Sequence, residues 1–124
     1  MNRVISSPEA PAAIGPYSQA IEASGMIYVS GQLPLNPKTN QMPEDIEAQT
    51  AQALDNIAAI LNAAGCSMNH VVKTTVLLAD MNDFAAMNEV YASYFTSMKP
   101  ARACFQVARL PKDAKIEIEV VASK

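Results

Sequence analysis

Apolar and polar residues alternate with a period of two near both ends of the chain, and a helical period separates these stretches. Ala103, Phe105 and Val107 alternate with Arg102, Cys104 and Gln106. An extended run would place Arg102 and Cys104 together on one face. After Leu110-Pro111-Lys112-Asp113-Ala114, the residues Ile116, Ile118 and Val120 alternate with Glu117 and Glu119. Two alternating runs joined by a short Pro/Asp-containing link predict a hairpin, whose register sequence leaves open. Further upstream, Val71–Leu78 (VVKTTVLL) is rich in β-branched residues and predicts a strand. Met26–Ser30 reads as a strand ending at Gly31, Tyr17–Ile21 as a strand turned by Ser24-Gly25, and Val4-Ile5 as a short edge strand stopped by Pro8.

From Glu44 the period lengthens. Ile46, Thr50, Leu54, Ile57, Leu61 and Ala64 follow helical spacing, with Asp45, Glu47, Gln49 and Gln52 outside the stripe and Gly65 as the stop. Asn82 is a candidate N-cap for a second helix, whose stripe is Phe84, Met87, Tyr91, Tyr94 and Phe95 and which Met98-Lys99-Pro100 ends. Leu33–Pro43, with three prolines and two asparagines, reads as a surface loop. Strands, a long helix, a strand, a second helix and two strands predict an α+β domain spanning 1–124, with one sheet and one helical layer. The uncovered sheet face is expected to pack against other copies of the chain.

Composition narrows the function. The 124 residues are half hydrophobic, 17% charged and carry a formal net charge of −3, so a single globular domain is expected and a broad phosphate-binding surface is not. The arginines are Arg3, Arg102 and Arg109, and no basic run occurs. Cys66 and Cys104 stand apart, His70 is the only histidine, and neither a CxxC motif nor a zinc-ligand set is present, so no metal site is expected. With no signal-peptide pattern and no apolar run of membrane-spanning length, a soluble cytoplasmic chain with reduced thiols is expected.

Four stretches in order, IGPYSQAI (14–21), YVSGQLPLNP (28–37), VVKTTVLLADMNDFAAMNEVY (71–91) and PARACFQVARLPKDAKIEIEVVA (100–122), resemble the RidA/YjgF/YER057c/UK114 family, and its RidA branch in particular. The resemblance runs along essentially the whole chain. It implies a chorismate-mutase-like fold: a six-stranded, mostly antiparallel sheet with two helices on one face, assembled as a homotrimer around a central sheet-lined barrel. It further implies a cofactor-free hydrolase in clefts between subunits that converts 2-imino acids or their enamines (2-iminopropanoate, 2-iminobutanoate) to 2-keto acids and ammonia, protecting pyridoxal-phosphate enzymes from damage. Carried over by motif, Arg102 is the substrate-carboxylate arginine and Glu117 the acid that positions water. Tyr17, Ser30, Gly31, Asn88 and Cys104 line the same cleft. A short Thr96–Lys99 connector departs from some members and affects a loop.

The residue types suit that chemistry. A planar guanidinium binds a carboxylate through two parallel hydrogen bonds, which lysine does not. A carboxylate beside C2 can activate water and return the proton to the departing nitrogen. Glu117 and Glu119 share a face by alternation, so choosing Glu117 rests on the resemblance. Cys104 reads as pocket wall rather than nucleophile, since an imine needs no covalent intermediate. Two other readings stay open: the same cleft as a non-catalytic binder of keto acids or other small carboxylates, and an RNA-acting protein, against which the acidic balance and lack of a basic-aromatic surface count.

Overall fold

The computed structural model describes residues 1–124. Its six strands are β1 (Arg3–Ile5), β2 (Ala20–Ala23), β3 (Met26–Gln32), β4 (Val71–Leu78), β5 (Ala101–Gln106) and β6 (Ile116–Ser123), and its helices are α1 (Ile46–Ala63) and α2 (Phe84–Tyr94). They form one sheet in the order β1-β2-β3-β6-β4-β5. Every neighbouring pair is antiparallel except β4 and β5, which run parallel. The architecture is the expected α+β sandwich of a mostly antiparallel sheet and a helical layer.

The predicted hairpin of the last two strands does not form. β6 inserts between β3 and β4, while β5 pairs with β4 at the sheet edge. The reason lies in the two sequences. In β6 the residues Ile116, Ile118, Val120 and Ala122 are all buried, as a central strand requires, whereas most of β5 is exposed. A helix joins β4 to β5, and parallel neighbours need such a crossover. The true hairpin is β2–β3, closed by Ser24 and Gly25, both at positive φ (52° and 78°).

α1 packs over β3 and β6 and against α2. Ile46, Thr50, Leu54, Ile57, Leu61 and Ala64 are buried as their spacing predicts. Burying each large aliphatic side chain among them stabilises the fold by about 1.5–3 kcal/mol. Asp45 caps α1 by accepting from Ala48 N–H at 2.6 Å, and Gly65 follows the helix at φ +80°. Gln49, placed outside by spacing, is instead buried: its amide donates to Pro43 O at 2.8 Å and accepts from Lys115 N–H at 2.9 Å. Asn82 is not a cap. Asp80 accepts from Asn82 N–H at 2.9 Å and starts a 3-10 turn that leads into α2.

Two loops also depart from expectation. The 33–43 segment is partly buried, with Leu35 inside and the buried Asn56 side chain donating to Leu33 O and Leu35 O at 3.0 and 2.9 Å. The strand expected from Tyr17 begins only at Ala20, directly after Gln19. Its buried amide accepts from Ser7 N–H at 2.7 Å and donates to Pro11 O at 2.7 Å, fastening the N-terminal segment to the sheet. No helix is long and apolar enough to cross a membrane.

Candidate active site

Strand register decides which face each candidate occupies. Thr74 pairs with Arg102 on one side and Val120 on the other, and Val76 with Cys104 and Ile118. Residues directly opposite share a face, and Thr74 reaches the Tyr91 hydroxyl of α2 at 2.8 Å. Arg102 and Cys104 therefore lie on the helix-covered face. Leu77 pairs with Phe105 and Glu117, which places Glu117 on the open face. The structure brings the candidates together in two sets rather than one.

The first set surrounds Arg102. Its Nη1 donates to Asn88 Oδ1 at 2.6 Å, and its guanidinium carbon lies 4.8 Å from the Tyr91 ring centre and 5.5 Å from that of Phe84. Arg3 pairs with Glu22 and Arg109 with Asp113, whereas Arg102 pairs with no carboxylate. A cation held by a neutral amide and two rings keeps its charge available to a ligand. The cleft of about 500 Å³ beside it is lined by Asn88, Tyr91, Phe95, Lys99 and Pro100 among others. Cys104 is half-buried, and burial pushes its thiol pKa up against the opposing pull of Arg102. It is therefore protonated at neutral pH, a wall rather than a thiolate nucleophile.

The second set gathers on the other side of the sheet, where Tyr17, Ser30, Gly31 and Glu117 line a cleft of about 580 Å³. A β-irregularity between Val29 and Gln32 carries Ser30 and Gly31. Gly31 has a local reason to be glycine: an added Cβ would collide with the Glu117 carboxylate and lie 3.0 Å from its Cδ. Glu117 is half-buried, and burial first, then the negative charge of Glu119, raises its pKa. Glu119, on the same face, is exposed. Ser30 donates its hydroxyl to Ser18 O at 2.6 Å, so it holds the segment that carries Tyr17, itself 52% exposed.

Sequence reasoning missed Tyr91, Phe84 and Thr74 around the arginine, reading the two aromatics as stripe; their i, i+4, i+7 spacing with Asn88 was the available signal. It also passed over Lys112, which lines the second cleft at positive φ (58°). His70 has a local role, its Nδ1 accepting from Ser67 N–H at 2.9 Å in a capping box. No three His, Cys, Asp or Glu side chains come together in a set able to hold a metal ion.

The family model described as endoribonuclease L-PSP matches residues 7–124. A RutC family protein of Pyrococcus horikoshii is 57% identical, with 100% of this chain and 99% of that protein covered. The 2-iminobutanoate/2-iminopropanoate deaminase of Escherichia coli K12 is 52% identical, with 98% of each chain covered. Among solved structures, Escherichia coli TdcF with bound serine superposes with a TM-score of 0.96 at 45% identity, covering 98% of each chain.

Proposed function

The chain belongs to the endoribonuclease L-PSP (RidA/YjgF) family, and from that premise we propose that it is a 2-iminobutanoate/2-iminopropanoate deaminase acting in the cytoplasm. Arg102 carries the reading. It is fixed in direction by Asn88 and two rings, it faces a cleft, and it has no carboxylate partner of its own. A 2-imino acid supplies that carboxylate, and the bound carboxylate places C2 at a set distance from the guanidinium.

Glu117 supplies the proton chemistry. Its carboxylate accepts a proton from water as the water oxygen bonds to C2 and the C=N pair moves to nitrogen. With the substrate as its protonated imine, the proton then passes from Glu117 to that nitrogen, the C2–N bond breaks to release ammonia, and the hydroxyl proton passes to the ammonia as the keto group forms. The products are a 2-keto acid and ammonium. A raised pKa brings Glu117 nearer the operating pH, where a group that takes and returns a proton is most effective. Cys104, Tyr17, Ser30 and Gly31 shape the walls of the site. Consuming such imines would spare pyridoxal-phosphate enzymes from damage.

In a single chain Arg102 and Glu117 stand on opposite sheet faces, so the proposed site is completed between copies. We place the Arg102, Asn88 and Cys104 half of one protomer against the Tyr17, Ser30, Gly31 and Glu117 half of the next, in a homotrimer. The open sheet face supports this, since Tyr28 and Phe105 are each 49% exposed there and such surface favours association. Three copies related by a closed rotation would repeat the same pairing three times.

The serine bound to Escherichia coli TdcF favours one second reading, a cleft that holds a small amino or keto acid without turnover. The test is keto-acid formation from 2-iminopropanoate and 2-iminobutanoate generated in situ, with semicarbazide as trap, for the parent and Arg102→Ala. Acceleration over spontaneous hydrolysis that disappears in the variant is the expected result. A folded parent that binds pyruvate but accelerates neither substrate overturns the enzyme reading and leaves the binder.

A further inference from the structure

Three side chains of α2 meet the Arg102 guanidinium at i, i+4 and i+7: the Phe84 ring, the Asn88 amide and the Tyr91 ring. That spacing places them along one helical face. Tyr91 is itself held from behind, being 8% exposed with its hydroxyl 2.8 Å from that of the fully buried Thr74. Thr74 is also the register partner of Arg102 in the β4–β5 ladder. One residue of β4 thus fixes both the ring and the strand position that the arginine occupies. Nothing acidic contacts the guanidinium.

We infer that Tyr91 and Phe84 are positioning residues for the carboxylate clamp, with Thr74 bracing the Tyr91 ring. This rests on the reading of Arg102 as the substrate-carboxylate group. The rings and the amide constrain the guanidinium without neutralising it. A carboxylate in their place would hold the group as firmly but compete with the substrate. The bond to Asn88 uses one N–H on Nη1, so other N–H groups stay available for two parallel bonds to a bound carboxylate. Ring platforms also suit guanidinium better than ammonium, because the flat ion stacks on them.

The inference separates two roles that a purely structural tyrosine would not separate. Substrate affinity follows the ring, and fold stability follows the hydroxyl tied to Thr74. The test compares Tyr91→Phe, Tyr91→Leu, Thr74→Val and Phe84→Leu with the parent and Arg102→Ala. Melting temperature, kcat, KM for 2-iminopropanoate and the calorimetric Kd for pyruvate are read for each. Tyr91→Leu is expected to raise KM and the pyruvate Kd by about tenfold, and Phe84→Leu by about threefold, with kcat nearly unchanged. Tyr91→Phe and Thr74→Val keep the ring but cut its tie to β4, so KM should rise by less than in Tyr91→Leu while the melting temperature falls.

Equal KM changes in Tyr91→Phe and Tyr91→Leu overturn the inference, since packing alone explains that result. If Tyr91→Leu does not fold, Phe84→Leu decides, and an unchanged KM there overturns the aromatic platform. Pyruvate binding lost in Arg102→Ala but untouched in both ring variants removes this inference and keeps the clamp. Binding that survives in Arg102→Ala removes both.

Discussion

Arg102 and Glu117 lie on opposite faces of one sheet, with β4 between their strands: Thr74 of β4 sits beside Arg102, and Leu77 beside Glu117. Because successive residues of a strand alternate faces, no rotamer change brings the two groups onto one side. Each supplies one half of the proposed site and stands apart from the other. The guanidinium has no carboxylate, and no cation stands among the causes that move the Glu117 pKa.

Replacing Arg102 by lysine keeps the charge and removes the planar fork. KM for 2-iminopropanoate should rise by about ten- to a hundredfold, with a smaller fall in kcat. Steady-state kinetics on purified Arg102→Lys checks this, and a parent-like KM contradicts bidentate recognition.

The raised pKa of Glu117 sets the pH dependence. In the proposed mechanism water activation needs the carboxylate, so the rate over spontaneous hydrolysis should fall as pH drops through a pKa raised above the ordinary glutamate value. Removing a like charge with Glu119→Gln should move that limb toward lower pH. The stability linkage has the opposite direction. A carboxyl whose folded pKa lies above its unfolded one favours the fold at low pH, and that contribution is lost as pH rises through the folded pKa. Glu117→Gln should therefore be inactive yet melt no lower than the parent at pH 7, and higher if burial of the charge dominates. Rate profiles and thermal scans across pH 4–8 read both effects.

Gly31→Ala tests the contact beneath the carboxylate. The new Cβ would displace the end of the Glu117 side chain, which can move, so the fold should survive within a few degrees of melting temperature. Activity should fall by about a hundredfold, since such displacements misplace the water-activating group. Full activity in the folded variant contradicts a positioned Glu117.

Cys104→Ala should keep kcat/KM within about fivefold of the parent, because burial keeps the thiol protonated and no step passes through sulfur. Loss of all turnover would place sulfur in the reaction.

The sequence carried the helices and the inward residues of β6 more clearly than the neighbours of each strand. Period alone places Ile116, Ile118 and Val120 inside, and they are inside. It does not say that β6 lies between β3 and β4, because pairing is set by which apolar faces fit together across the whole sheet. The strand-helix-strand run from Val71 to Gln106 held the clue to the parallel pair, and the hairpin reading passed over it. The motifs named Arg102, Asn88, Tyr17, Gly31 and Glu117, yet their division between two faces emerges only from register. Gln49 and Asn56 were illegible for another reason: each is buried to satisfy loop backbone groups, Gln49 at Pro43 O and Lys115 N–H, Asn56 at Leu33 O and Leu35 O.

The most direct measurement mixes Arg102→Ala and Glu117→Gln, each expected to be inactive alone, after joint unfolding and refolding at equal concentrations. If each site takes its arginine from one copy and its glutamate from the next, about a quarter of the sites combine both native groups. Keto-acid formation from 2-iminopropanoate should then return to about a quarter of the parent rate. A mixture as inactive as its components, with exchange of subunits verified, contradicts a site built between copies from Arg102 and Glu117.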